Sequence, residues 1–300
     1  MATVRRPNGQ HPSFYFSRRL HEQDKADKDF FLATGFYLHL IHFLDSKWVK
    51  KHYPLFFDTG KETPLNYTLL ACFSVYQQIN PGLYEFFQAH DTFRLGLSVS
   101  GKMDISVDLI MRYPLWEWRV RNIGPDDPNS LLKKVIDRRN EGHVLRLIQV
   151  IKDFHFLNRQ QLLVVWKLIL GIANEDHPRF ESIFCALVAF FDAYGQLDTE
   201  VAPLLADGIN HFTEIGPASN YLVRLLCQFG GSNWEAAADL LYQLLRTVNA
   251  LPWADDDLRK LIESFYKNNL KEKADAICRF FADKGSLFLK TLYDSYSIPA

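Results

Sequence analysis

The chain has 300 residues, a formal net charge of −1, and 48% hydrophobic and 14% aromatic residues. So small a net charge argues against a protein that holds nucleic acid chiefly through phosphates, and only 15 Gly and 13 Pro argue against a turn-dense β architecture. The length allows two domains or one elongated array, with ample apolar surface for a core.

Residues 1–25 carry Pro7, Asn8, Gly9, Pro12 and scattered charges, and read as a mobile arm without the apolar run of a secretory signal. A first helix is expected from Asp27 or Asp29 to about Lys51, bent at Gly35, with acids suited to the positive end of the helix dipole. Residues 30–44 form the most apolar run. They fall short of the ~20 residues a bilayer span needs, so they read as a buried helix, and no membrane span is expected. Pro54 and Gly60 mark a loop. A second helix is expected over 64–78, a turn at Asn80-Pro81-Gly82, and a short helix over 83–89.

Residues 93–109 are the one place where a small β-hairpin competes. Phe93, Leu95, Leu97 and Val99 alternate up to Ser100-Gly101-Lys102, and Ile105 and Val107 alternate after it. The rival is a helix over 104–118. Residues 123–130, with Pro125, Pro128 and Gly124, read as a linker between an N-terminal helical domain over 26–122 and a second domain over 131–300.

In the second domain, helices are expected over 130–140, 143–156, 158–173, 177–194, 198–211, 217–229, 233–248, 255–267, 270–283 and 286–295. Ser232 with Glu235 reads as a capping box, and Gly195, Gly216, Gly230 and Gly285 as left-handed C-terminal caps. This half repeats itself. At a shift of 36, within the range of helical-hairpin repeats, Leu222, Leu225, Leu226 and Phe229 fall on Leu258, Leu261, Ile262 and Phe265. Ala238, Leu241 and Leu245 fall on Ala274, Ile277 and Phe281. One unit further back lie Ala186, Ala189, Phe190, Ala193, Ala202, Leu205 and Ile209. Another shift reaches Val150 and Ile169 but also Asp153 and bulky Trp166, where the register fails. Leu287, Phe288, Leu292 and Tyr293 are assigned to a terminal capping helix.

An apolar helix, a tight turn, and a second helix with a recurring alanine (Ala202, Ala238, Ala274) resemble the tetratricopeptide-like superhelices. The resemblance covers the C-terminal third to half. It departs at Leu226 and Ile262, where that family has a small residue, and in lacking the closing proline. What it implies is an α-solenoid whose layers complete one another's cores and bind a peptide or protein along a groove. Asn220, Arg224, Gln228, Arg259, Lys260 and Glu263 are the candidate groove residues.

Two other chemistries deserve weighing. His39, His42 and Asp45, at three-residue steps, share a helix face and form a workable metal set. Arg112, Trp116, Trp118, Arg119 and Arg121 interleave indoles with guanidiniums, as a base-stacking surface does, and Arg138, Arg139, Arg146, Lys152 and Arg159 continue the basic bias. No phosphate-cradling loop, Gly-x-Ser-x-Gly or kinase motif set occurs, and no cofactor is called for. Cys72 with His90 is the only imaginable nucleophile pair. The four cysteines lie in apolar patterns without a CxxC, which reads as buried, reduced thiols in a cytoplasmic protein. The expectation is therefore an all-α protein, an α-solenoid behind a helical N-terminal domain. It would act as a non-catalytic interaction module, with a metal-dependent enzyme or a nucleic-acid-binding repeat as alternatives.

Overall fold

Apolar residues at three- and four-residue spacing become helices throughout, and no strand occurs among the described residues. The structure is a computed structural model and describes residues 28–57, 62–73, 79–100, 108–154, 157–175, 181–213, 216–251 and 256–297. The expected arm over 1–25 lies outside them. The chain divides into two units, Met1–Leu131 and Leu132–Ala300.

The first unit holds α1 (Lys28–Leu44), α2 (Ser46–Phe56), α3 (Glu62–Cys72), α4 (Pro81–Ala89), α5 (Thr92–Ser100) and α6 (Asp108–Arg121). The single helix expected up to Lys51 is two. Asp45 leaves the helical region (φ −152°) and its carboxylate accepts the Trp48 N–H at 2.8 Å, capping α2. Pro54 then falls inside α2 rather than in a loop. Gly35 does not break α1. It marks the crossing on α3, where a Cβ would stand well inside 3.0 Å of the Thr68 carbonyl oxygen and 3.0 Å from Ala71 Cβ.

The strand reading of residues 93–100 is overturned. Phe93 and Leu97, four apart, are buried, Arg94 and Ser98 are exposed and Leu95 is half-buried, which is the burial pattern of a helix. Residues 101–107, the rest of the expected hairpin, lie outside the described segments. Around α5, the rings of Phe73, Phe87, Phe93 and Tyr113 meet with centroids 5.0 to 6.4 Å apart, an aromatic core assembled from α4, α5, α6 and the end of α3. Residues 123–130 form ordered turns. Asp127 N–H donates to the Gly124 carbonyl and Ser130 N–H to the Asp127 carbonyl, both at 3.0 Å.

The second unit takes in α7 (Leu131–Asp137, whose first residue closes the first unit), α8 (Glu141–Phe154), α9 (Arg159–Glu175), α10 (Glu181–Ala186), α11 (Val188–Tyr194) and α12 (Val201–Ile209). After them come α13 (Pro217–Phe229), α14 (Trp234–Val248), α15 (Asp256–Lys267), α16 (Lys271–Asp283) and α17 (Lys290–Ser297). From α8 on, each helix packs beyond its neighbour in sequence. One row runs α8, α10/α11, α13, α15, α17, and the other runs α9, α12, α14, α16.

The paired positions Leu222/Leu258, Leu225/Leu261, Leu226/Ile262, Ala238/Ala274, Leu241/Ile277 and Leu245/Phe281 are buried. One unit back the register holds in part. Phe190, Leu205 and Ile209 are buried as expected, but the helix breaks at Leu187, where Leu187, Val188, Phe191 and Tyr194 are buried too, and Ala186, Ala189, Ala193 and Ala202 are only half-buried. Trp166 stands buried where a small residue was wanted, its ring stacked 5.7 Å from Phe190. At the C-terminus Leu289 and Leu292 are buried, and Leu287, assigned to the capping contact, is exposed.

The cap assignments need two corrections. Gly195 (φ 71°) and Gly285 (φ 80°) are left-handed, but Gly216 is the extended N-cap of α13 and Gly230 opens a 3-10 turn at φ −62°. Asn249 and Asn269 supply further left-handed positions. At α14 the N-cap is Asn233, whose side chain accepts from Ala236 N–H at 3.1 Å. Ser232 is not the cap. Its hydroxyl accepts the Leu197 N–H at 3.1 Å and donates to the Leu197 carbonyl at 2.7 Å.

Candidate functional site

The expected metal set is dispersed by local structure. Asp45 is engaged as the α2 cap, the His42 ring lies against Gly82 and 5.9 Å from Phe86, and His39 is half-buried on α1. Among the described residues no three His, Cys, Asp or Glu side chains come together to hold a metal ion. Cys72 is buried, and burial pushes its thiol well above the usual range, which works against a thiolate nucleophile. His90, its imagined partner, stacks on Tyr53 with centroids 4.1 Å apart. Of the other cysteines, Cys278 is buried and Cys227 half-buried, but Cys185 is exposed.

The Arg/Trp segment is α6 and its end. Trp116 packs against Tyr84 (5.1 Å), and the Arg121 guanidinium lies over both rings at 5.7 and 5.1 Å while pairing with Glu85. The Trp118 indole lies on Gly124. Arg112 is half-buried and Arg119 exposed. The tryptophans are thus packing residues of the first unit. Between them on α6 is Glu117, a buried carboxylate with no local signal in its spacing. It accepts from the Tyr84 hydroxyl, from Gln88 Nε2 at 2.9 Å and from the Leu131 N–H at 2.7 Å.

In the second unit the helix pairs bring polar side chains together along each row. On α13, Arg224 lies over the Tyr221 ring at 4.8 Å. The Tyr221 hydroxyl donates to Asp192 of α11, and Lys152 of α8 reaches the same ring at 5.1 Å and Asp192 at 4.0 Å. Burial, then the Asp192 carboxylate, pushes the Tyr221 phenol up to about 12, so it stays a donor at neutral pH. Asp192 falls one 36-residue step before Gln228, but Gln228 is singled out by its polar position on its helix and not by that step. Lys152 and Tyr221 have no such signal.

Of the other candidates, Gln228 and Arg259 are exposed and Asn220 is half-buried. Lys260 pairs with Asp257 at 3.9 Å and Glu263 with Lys267 at 2.6 Å, exposed local pairs that solvent screens. Beyond the basic segment, Arg139 pairs with Glu175, and Arg159 donates to Gln196 at 2.8 Å.

The second row is tied in the same manner. Asn174 donates to Asp207 at 2.8 Å, Gln243 to the Ala206 carbonyl at 2.8 Å and to Asn210 at 2.6 Å, and Lys284 to Asn249 at 2.7 Å. Lys273 pairs with Asp239 at 2.6 Å and Glu235 at 3.4 Å. No protein-family model matches the chain, and neither a curated protein nor a solved structure matches it.

One pH response follows from this packing. Burial, then the Arg138 charge, holds the His143 pKa below its ordinary 6.5, and burial with Lys50 does the same for His42 in the first unit. In the unfolded chain these imidazoles protonate near 6.5, so the unfolded state takes up protons that the folded state refuses. Their stabilising contribution is full above that value and is lost as pH falls through it toward the folded pKa. Urea midpoints are expected to drop between pH 7.5 and 5.5, and His143→Phe is expected to flatten that slope.

Proposed function

We propose that the second unit is an α-solenoid of two-helix layers, of the kind the tetratricopeptide-like superhelices exemplify. On this reading the chain serves as a non-catalytic adaptor, scaffold or regulator. Its partner is a protein or peptide, held along the polar surface of α8, α11, α13 and α15.

One observation carries the reading. Most polar bonds between successive helix pairs, though not Glu141–Ser182, Lys152–Asp192 and Asp192–Tyr221, which span 41, 40 and 29 residues, span 33 to 38: Arg139–Glu175, Arg159–Gln196, Asn174–Asp207, Leu197–Ser232, Ala206–Gln243, Glu235–Lys273 and Asn249–Lys284. These ties are independent of the apolar period and have its length, as stacking of like layers requires. Arg224, Arg259 and Lys260 then supply positive charge on exposed faces of α13 and α15, suited to an acidic segment of the partner. The buried thiols of Cys72 and Cys278 suit a reducing compartment, which favours the cytoplasm.

The test is affinity capture from lysate with three forms of the full chain. These are the natural sequence, Arg224→Glu/Arg259→Glu, and Lys167→Glu as a charge change on α9. The double variant is expected to keep its thermal midpoint and to lose, by at least about tenfold, a protein that the other two retain. Equal capture by all three forms overturns the reading.

A further inference from the structure

α1 carries no Asp, Glu, Lys or Arg between residues 30 and 44, yet its burial is one-sided. Phe31, Thr34, Gly35 and Leu38 are buried, and Gly35 lies against α3. On the opposite side Phe36 is 39% exposed, Tyr37 50%, Leu40 47%, Phe43 82% and Leu44 77%. At ~100° per residue these five fall within an arc of roughly 120°, a continuous apolar stripe. A helix that is apolar all round is ordinarily covered all round, and an open patch of this extent marks an interaction surface.

We infer that this stripe is the contact by which two copies of the chain form a dimer, α1 packing antiparallel on the α1 of the second copy about a twofold axis at Leu40. The stripe reads the same in both directions from Leu40. The twofold sets Leu40 on Leu40, Tyr37 on Phe43 and Phe36 on Leu44, so each large side chain meets another, as an isologous contact demands.

Charge agrees with the antiparallel sense. Asp29 lies on the stripe's face at the start of α1, with Lys28 beside it off that face, and exposed Lys47, Lys50 and Lys51 follow its end. Antiparallel pairing brings Asp29 of one copy toward the basic end of the other, whereas parallel pairing sets lysines beside lysines. The helix dipoles favour the same arrangement. A net charge of −1 per chain adds no bulk repulsion between copies.

The area is sufficient. Side chains of this size at these exposures offer on the order of 500 Å² per copy, so two copies bury about 1,000 Å², the lower bound of a specific interface. No helix among the described residues is long and apolar enough to cross a membrane, α1 included.

The test is sedimentation equilibrium of the full chain with three sequences. The natural chain is expected to show twice the 34.9 kDa chain mass, and Leu40→Glu and Leu40→Lys each to weaken association by at least about a hundredfold. Because Leu40 faces itself across the axis, an equimolar mixture of the two variants is expected to recover the dimer. Unchanged circular dichroism and thermal midpoints show that these half-exposed substitutions leave the fold intact.

A natural chain that stays monomeric overturns the inference, whatever then covers the stripe. So does a dimer indifferent to Leu40→Glu, or a mixture that stays monomeric. Flotation of the natural chain, but not of Leu40→Glu, with phosphatidylcholine vesicles would assign the stripe to a lipid surface instead.

Discussion

Replacing Glu117 with alanine is expected to cost the first unit about 3 kcal/mol, read as a lowered urea midpoint at constant m-value. The carboxylate is buried and accepts from three donors on separate parts of the unit: the Tyr84 hydroxyl, Gln88 Nε2 and the Leu131 N–H. Truncation strands these donors, and each buried orphan costs about 1–3 kcal/mol. The total stays below the sum because Gln88 also reaches the Tyr84 oxygen, at 3.0 Å, and the two partly relieve each other. Burial, and then the bond to Glu117, hold the Tyr84 phenol above its ordinary range, so it remains a donor throughout the neutral range. Glu117→Gln separates charge from shape. It keeps one acceptor oxygen but turns a donor toward the Leu131 N–H, and a loss of about 2 kcal/mol is expected. A loss of under about 1 kcal/mol for the alanine variant would mean that the carboxylate is not the organising group of this cluster.

Gly35→Ala is expected to destabilise the same unit by about 2 kcal/mol. In an exposed helix the exchange would gain roughly 0.5–1 kcal/mol, so the sign is the test. The added methyl would meet the Thr68 carbonyl oxygen, Ala71 Cβ at 3.0 Å and Cys72 N at 3.1 Å. Two of those three atoms are backbone and cannot rotate aside, so the helices themselves must separate, and overpacking typically costs about 1–3 kcal/mol. A thermal midpoint that rises in the alanine variant would show that α1 and α3 do not approach so closely at this point.

Legibility in the sequence followed the range of the interaction. The burial of Leu222, Leu258, Ala238 and Ala274 was readable because helical spacing and a repeated period are visible within a few dozen residues. In the layer before them Leu205 and Ile209 kept the register, but in its first helix the break at Leu187 shifts the buried set by one residue, and a fixed 36-residue step cannot register that. Residues 93–100 misled because an apolar residue at every second position satisfies strand spacing while Phe93 and Leu97 also satisfy the helical one. Burial against Phe73 and Ile110, around Gly96, decides between them.

Ser232 and Asn233 are adjacent capping residues, and the choice between them depends on Leu197, which draws the serine hydroxyl away. Glu117 had no signal at all. Its partners lie 33 and 29 residues before it and 14 after, and a lone glutamate in a helical pattern reads as solvated. The candidate surface was half legible. Arg224 came from its polar position on an amphipathic helix, but its company of Lys152, Asp192 and Tyr221 is set by packing between helices.

The ties spaced 33 to 38 residues apart bear on how the chain is made. A segment leaving the ribosome finds the groups it bonds to already outside the tunnel, because they were synthesised one step earlier. Structure in this half can accordingly accrue behind the growing end, N-terminal part first, without awaiting the last residues.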